Sequence, residues 1–206
     1  MEISLNRNVL AKLIPLYLTQ TNIDLSKRAI SSIDTNTFMQ LSHITNLSLS
    51  VNSLKNIDSS VFNDLVNLVE LNLNGNSLSF LEPNTFETIK NILSLNLGSN
   101  NLRSLDNSLF NELTNLHTLY LNDNQLTRLE SSTFRQLSKL AFLYLNNNKL
   151  VSIHRLSFEG LGNLEVVYLG NNPISSTQSF LVLQLCQTNP KCVICMNDKF
   201  ENLTLN

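Results

Sequence analysis

The segment from Leu116 to Leu126 reads LHTLYLNDNQL and contains the pattern from which most of this chain is built. Leu119 and Leu121 are separated by one residue, so a β-strand would turn both side chains to the same side. Asn124 follows where the chain is expected to turn, and its carboxamide can donate to and accept from backbone groups there. A segment this short cannot bury its own leucines. It therefore predicts further copies stacked on either side of it.

The same pattern recurs along the chain at a spacing of 24 residues. Two residue types keep this spacing in register over six copies, which identifies an internal repeat. We expect the asparagine column to form a hydrogen-bonded ladder between coils and the phenylalanine column to fill the wide side of each coil. The ladder asparagines are Asn52, Asn76, Asn100, Asn124, Asn148 and Asn172. The phenylalanines are Phe38, Phe62, Phe86, Phe110, Phe134 and Phe158.

This pattern, LxxLxLxxNxLxxLxxxxFxxLxx, resembles the 24-residue form of the leucine-rich repeat family. In the first copy Gln20 stands in a leucine position and Arg28 in the asparagine position. The resemblance implies an α/β fold, a leucine-rich-repeat solenoid that forms a curved horseshoe fragment. It implies a parallel concave β-sheet of about seven strands, with loops and short 3-10 turns on the convex side. Residues 20–174 hold six full copies and one partial copy, which begin at Gln20, Ile44, Leu68, Ile92, Leu116, Leu140 and Leu164.

Both ends of the chain are expected to cap the stack, because the terminal coils of a solenoid otherwise expose apolar surface. Residues 1–19 with IPLYL at 14–18, followed by IDLS at 23–26, resemble the N-terminal cap of extracellular leucine-rich repeat proteins such as Toll-like receptors and Slit. The cysteines of that cap are absent here. Residues 175–206 are predicted to form the C-terminal cap and tail. Ser175 and Gln178 have the spacing of a helix capping box, so a short helix over 180–185 is predicted, with a strand as the alternative.

The three cysteines follow that apolar run. Cys186 and Cys192 bracket a turn-like QTNPK segment and are predicted to form a disulfide bond in an oxidising compartment. Unpaired buried thiols are the alternative. Cys195 adds a third sulfur, but no histidine nearby completes a tetrahedral set, so no metal site is expected.

The sequence offers no catalytic constellation, and we expect neither enzyme activity nor a cofactor. His43, His117 and His154 occupy different repeat positions, and no nucleophile, phosphate-binding or zinc-protease motif occurs. The formal net charge of −2 over 206 residues gives no electrostatic reason to expect nucleic acid as a partner. No run of about 18 apolar residues occurs, so no transmembrane segment is predicted in this chain.

The variable positions of the predicted strands form the candidate binding surface. The residue between the two strand leucines is small and polar in the first four coils and tyrosine in the last three. Contiguous exposed aromatic side chains mark interaction surfaces. The alternative is that neighbouring tyrosines only stack on one another as cross-strand pairs. The residues predicted to contact a protein ligand are Tyr120, Tyr144, Tyr168, Phe142, Val166, Thr118, His117 and Asp123.

Three functions fit such a surface. The cap resemblance and the cysteine cluster favour an extracellular or secreted ligand-binding domain, from a secreted or receptor-type signalling protein. The missing signal peptide and cap cysteines favour the alternative, a cytoplasmic scaffold or adaptor. The third hypothesis is an incomplete gene product with no ligand of its own. A signal sequence encoded upstream of Met1 would distinguish the first hypothesis from the second.

Overall fold

Short strands account for most of the regular secondary structure. A computed structural model describes residues 2–154, 156–174 and 192–195. Within those ranges the helices are α1 (Arg7–Leu13) and one 3-10 helix (Ser59–Phe62). The strands are β1 (Ile3–Leu5), β2 (Asn22–Asp24), β3 (Ile30–Ile33), β4 (Asn46–Ser48), β5 (Glu70–Asn72), β6 (Ser94–Asn96), β7 (Thr118–Tyr120), β8 (Arg128–Leu129), β9 (Phe142–Tyr144), β10 (Ser152–Ile153), β11 (Val166–Tyr168) and β12 (Val193–Cys195).

One parallel sheet organises the molecule. Its described strands lie in the order β2, β4, β5, β6, β7, β9, β11 and β12. Neighbouring coils pair at the repeat spacing, so Leu95 lies beside Leu119 and Leu119 beside Leu143. The predicted solenoid with a parallel sheet is confirmed. About seven strands were expected, and the sheet has an eighth described strand, β12. Its Val193 pairs with Val166, which does not follow the 24-residue spacing, so the repeat did not predict this strand.

The core lies behind this sheet. The central residue of each strand from β4 to β11 in the main sheet is buried, while the flanking residues are at least partly exposed, as the two-residue period of a strand requires. On the far side of each coil the phenylalanine column is closely stacked. Ring centroids lie 6.3 Å apart for Phe62 and Phe86, 6.5 Å for Phe86 and Phe110, and 6.1 Å for Phe110 and Phe134. Leucine and phenylalanine columns thus form one continuous apolar core along the stack.

The ladder asparagines join successive coils at the turn after each strand. Asn124 Nδ2 donates to the carbonyl of Leu97 in the preceding coil (2.9 Å) and to that of Leu121 in its own coil (3.2 Å). Its Oδ1 accepts from Leu102 N in the preceding coil (3.0 Å). The other five make the same type of contact with the coil before them. No buried side-chain donor or acceptor among the described residues lacks a partner.

A second asparagine column, which was not among the sequence predictions, lies just before strands β5, β6, β7 and β11. Its amides each donate to a backbone carbonyl of the preceding coil, at 2.7–3.1 Å. Lys139 replaces asparagine in one coil and donates instead to Asn115 Oδ1 (2.8 Å). This column therefore adds a second set of bonds between coils, on the surface. Its asparagines are Asn67, Asn91, Asn115 and Asn163.

The residue before each ladder position adopts a left-handed backbone conformation. This conformation suits glycine and is tolerated by asparagine and aspartate, but it is strained for a β-branched residue. Gly75 fits it (φ 67°), whereas Val51 adopts it (φ 54°) with half of its side chain exposed. The residues in this column are Lys27, Val51, Gly75, Ser99, Asp123, Asn147 and Asn171. Their chemistry is mixed, so the sequence alone gives no sign of the shared conformation.

The N-terminal segment covers the first coil. β1 pairs with β3 in a separate two-stranded parallel sheet, and Leu5 and Leu10 are fully buried. Helix α1 begins after Asn6, whose side chain accepts from Val9 N (3.0 Å) in the manner of an N-cap. The sequence predicts a cap here, but neither this strand nor this helix was expected.

At the C-terminal end, the structure describes four residues of the predicted cap, 192–195. Cys192 is disulfide-bonded, and Cys195 is a buried free thiol whose pKa is raised by burial. Cys186 and the predicted helix that starts near Ser175 lie outside the described residues. The pairing of Cys186 with Cys192 and the capping helix therefore stay predictions.

Candidate functional site

The exposed face of the main sheet divides into a polar half and an aromatic half. In the polar half, Asp24, Ser48, Asn72 and Asn96 occupy the last position of their strands. Several of these side chains bond to their own turns. Asp24 accepts from Ser26 N (2.9 Å), and Asn72 and Asn96 make the same contact two residues onward. Hydrogen bonds from Ser26 lower the pKa of the Asp24 carboxyl group.

The aromatic half contains a row of three stacked tyrosines. Ring centroids lie 4.4 Å apart for Tyr120 and Tyr144 and 4.7 Å for Tyr144 and Tyr168, with interplanar angles of 14° and 6°. The rings therefore cover one another's inner faces, and their edges and hydroxyl groups are what the sheet face presents. Burial of Tyr144 between its neighbours raises its pKa, and the charges of Tyr120 and Tyr168 act in the same direction. A tyrosine hydroxyl group is protonated at neutral pH and can both donate and accept.

A second, largely apolar row runs beside the tyrosines on the same strands. Phe142 pairs in register with Thr118 on one side and Val166 on the other, and all three are partly exposed. His117 packs against Phe142 with ring centroids 5.3 Å apart, and its Nδ1 lies 3.2 Å from the Thr118 hydroxyl oxygen. We call Tyr120, Phe142, Tyr144, Val166 and Tyr168 the aromatic patch.

Asp123 is the one predicted contact residue that belongs to a different feature. It is exposed, adopts a left-handed conformation (φ 54°), and accepts from the amides of Asn122 and Asn147. Asn171 in turn donates to Asn147 Oδ1 (2.7 Å). Asp123 therefore begins a chain of side-chain amides that runs along the turns beyond the tyrosine row.

Two further residues adjoin the patch and were not named as candidates from the sequence. Leu93 is 47% exposed, and its carbonyl accepts from both His117 and Thr118, so it extends the apolar edge. Glu165 is exposed immediately before β11. Both occupy the repeat position of His117, so the 24-residue spacing could have identified them.

The side of the coils away from the sheet face carries an acidic column at the repeat spacing, Asp34, Asp58, Glu82, Asp106 and Glu130. Asp58 accepts from the backbone and hydroxyl groups of Ser60, and Asp106 does so from Ser108. These bonds lower the pKa values of both carboxyl groups. The aspartates therefore serve as turn caps, which explains their spacing without a ligand.

An open groove of about 450 Å³ lies among residues 32–84, away from the aromatic patch, and is lined mainly by serine, asparagine and acidic side chains. Throughout 2–154, 156–174 and 192–195, no group of histidine, cysteine, aspartate and glutamate side chains could hold a metal ion. Over the same ranges, no helix is long and apolar enough to cross a membrane.

Comparison with known proteins agrees with this geometry. The family model for the leucine rich repeat matches overlapping windows at residues 20–78, 42–102, 66–126, 90–150 and 114–174. Comparison with curated proteins gives no match. Among solved structures, the chain is similar to that of the TLR13–ssRNA13 complex, with 32% identity and a TM-score of 0.77, over 84% of this chain and 24% of that one.

Two more solved structures share the fold. The leucine-rich repeat domain of APL1B is 23% identical with a TM-score of 0.69, over 85% of this chain and 50% of that one. The Drosophila Toll–Spatzle complex is 21% identical with a TM-score of 0.61, over 94% of this chain and 32% of that one. The chain thus spans about a quarter to a half of the length of these similar proteins.

Proposed function

Because the chain belongs to the leucine-rich repeat family, whose fold is typical of protein–protein interaction modules, we propose that it binds a protein partner through the aromatic patch. The observation that carries this proposal is the contiguous row of partly exposed, mutually stacked tyrosines on one half of the sheet face. Leucine-rich repeat proteins are in general binding modules without enzymatic activity, and the polar half of the face offers no comparable apolar surface.

Stacking and binding are compatible at these positions. The stacked rings are already ordered, so a partner that contacts them need not restrict much further side-chain freedom. Each tyrosine still offers a ring edge and a hydroxyl group, which together supply apolar contact and a hydrogen bond. Phe142 and Val166 enlarge the apolar part of the surface next to the row. An exposed apolar area of this kind is typical of an interaction site.

We further propose an extracellular setting, as part of a secreted or receptor-type protein. The N-terminal segment that resembles the cap of extracellular family members supports this, as does the similarity to Toll and TLR13 structures. An intracellular scaffold is the alternative. The test is the transcript upstream of the codon for Met1. An encoded signal sequence there supports the extracellular setting, and an in-frame stop codon directly upstream contradicts it.

The binding proposal is tested by affinity capture with the intact chain, followed by the double variant Phe142→Ala/Tyr144→Ala. We expect this variant to lose the captured partner while keeping the far-ultraviolet circular dichroism of the wild type, because the buried Leu143 between the two positions is unchanged.

The matched control is Phe80→Ala/Val151→Ala, which removes two exposed apolar side chains (52% and 58% exposed) outside the main sheet. We expect it to retain the partner. Equal affinity of the patch variant and the wild type would reject the aromatic patch as the binding surface.

A further inference from the structure

We infer that the partner presents a basic segment, with lysine or arginine next to apolar residues, to the aromatic patch. This inference rests on the proposed function and adds the chemistry of the partner to it. Two observations carry it: the charge on the sheet face, and the way in which the stacked tyrosines present themselves.

The sheet face is acidic. In each coil, we consider the residue before the strand, the two exposed strand positions and the two residues before the ladder position. Across the seven coils these positions hold four carboxylates, Asp24, Glu70, Asp123 and Glu165, and one cation, Lys27. Lys27 lies in the first coil, far along the stack from the aromatic patch, and so does the exposed Arg28, which stands in the ladder position. Lys149 follows ladder residue Asn148 and lies outside these positions.

Two of the four carboxylates flank the aromatic patch. Glu165 directly precedes β11, and Asp123 follows β7, so one lies near the start of the strands and the other beyond their ends. The ion pairs among the described residues are Lys90 with Glu112 and Arg128 with Glu130. Neither involves Asp123 or Glu165, and Asp123 accepts only from neutral amides. A lysine or arginine of the partner can therefore reach two negative charges that this part of the chain leaves unneutralised.

The same surface is poorly suited to single-stranded nucleic acid, although one similar structure is a complex with single-stranded RNA. Binding to a phosphate backbone requires lysine and arginine. The patch and its flanks contain none in the positions considered above. Bases stack on free aromatic faces, but the inner tyrosine faces are covered by neighbouring rings at 4.4 and 4.7 Å. The charge therefore favours a basic polypeptide, and the covered inner ring faces disfavour the stacking of nucleic-acid bases.

The experiment uses a phage-displayed library of random peptides, selected on the intact chain and counter-selected on the Phe142→Ala/Tyr144→Ala variant. Synthetic versions of the enriched peptides are then titrated against the wild type and Asp123→Asn/Glu165→Gln. Both substitutions are nearly isosteric, and asparagine tolerates the left-handed conformation at position 123. The matched control, Glu87→Gln/Glu159→Gln, changes the net charge equally at exposed positions off the sheet face.

We expect the enriched peptides to be rich in lysine or arginine beside apolar residues. We also expect Asp123→Asn/Glu165→Gln to weaken their binding at least tenfold, and the control to bind like the wild type. Added salt should also weaken the binding of these peptides to the wild type, because it screens the attraction between opposite charges. A labelled single-stranded oligouridine should bind no better to the wild type than to the Phe142→Ala/Tyr144→Ala variant.

Three results would overturn the inference: enriched peptides without basic residues, unchanged binding by Asp123→Asn/Glu165→Gln, or preferential binding of the oligouridine. Peptides whose binding requires Phe142 and Tyr144 but not the two carboxylates would support the proposed binding surface and contradict the inference of a basic partner. If no peptide is enriched on the wild type relative to the Phe142→Ala/Tyr144→Ala variant, this result would count against both the proposed binding surface and the basic partner.

Discussion

Replacing Asn124 by alanine tests how the coils are held together. The substitution removes four hydrogen bonds, but most of the affected backbone groups keep another partner. The Leu97 carbonyl still accepts from Asn100 Nδ2 (3.1 Å), and the Leu121 carbonyl still accepts from Asn148 Nδ2 (2.8 Å). Leu102 N is different, because Asn124 Oδ1 is its acceptor (3.0 Å) and Leu102 is only 1% exposed. The expected loss is therefore that of one buried donor without a partner, about 1–3 kcal/mol.

The measurement is urea denaturation of both the wild type and the variant. Far-ultraviolet circular dichroism reports the coils, and the emission of the four tyrosines reports mainly the sheet face, since the chain has no tryptophan. The matched control is Asn115→Ala, which removes two surface contacts, one to the Lys90 carbonyl (3.1 Å) and one from Lys139 Nζ (2.8 Å). Water can replace both bonds, so we expect the control to lose less than about 1 kcal/mol. Equal losses for the two variants would refute the assignment of the ladder's stabilisation to buried backbone groups.

Three further predictions concern backbone conformation and ionisation. Val51→Asn should stabilise the fold by about 1 kcal/mol, because asparagine tolerates φ 54° better than a β-branched residue does. An unchanged midpoint of urea denaturation would count against backbone strain at this position. Gly160→Ala should cost about 1–3 kcal/mol, because φ is 89° and an added Cβ would overlap the Arg135 carbonyl. The control Gly162→Ala, whose Cβ meets no atom within 4 Å, should change stability little, and equal effects of the two substitutions would contradict this reasoning. Because the folded-state pKa of Tyr144 is raised, stability should be full below the unfolded-state pKa of about 10 and fall as the pH rises above it. Tyr144→Phe should lessen that fall and remove the highest-pH step in tyrosinate absorbance. An unaltered titration would contradict the partial burial of Tyr144 between its neighbours.

The repeat was predictable because each of its columns needs one kind of side chain. Leu119 and its equivalents must be apolar to fill the core, and the carboxamide of Asn124 donates through Nδ2 while it accepts through Oδ1 at the turn. These chemical requirements recur in every coil after the first, so they appear directly in the sequence as a 24-residue spacing.

Features without a constant chemistry were not predictable in the same way. The left-handed column holds lysine, valine, glycine, serine, aspartate and asparagine, because the backbone there is fixed by the turn and not by the side chain. Strand β12 pairs with β11 outside the repeat spacing, so no repeated residue marks it. The column of Asn67, Asn91, Asn115 and Asn163 is an intermediate case: its spacing is visible in the sequence, but Lys139 interrupts it.

The candidate site likewise combines features that the sequence predicts with features that it does not. Sequence alone places Tyr120, Tyr144 and Tyr168 in one row, because the register of a repeat fixes which residues are neighbours. It left open whether their rings would stack, since that depends on side-chain rotamers, and the structure shows closely stacked rings. Asp123 was grouped with this row, but its hydrogen bonds place it in the neighbouring amide chain. The identity of a partner depends on surface chemistry that varies from coil to coil, and periodicity does not describe it.

Hydroxyl-radical footprinting of the chain, alone and with its captured partner, tests the proposed binding surface most directly. Oxidation of aromatic side chains reports which of them the partner covers. We expect protection of Tyr120, Phe142, Tyr144 and Tyr168, while Phe80, which is 52% exposed outside the main sheet, stays fully reactive. Protection of Phe80 with unchanged oxidation of the tyrosine row would contradict binding at the aromatic patch.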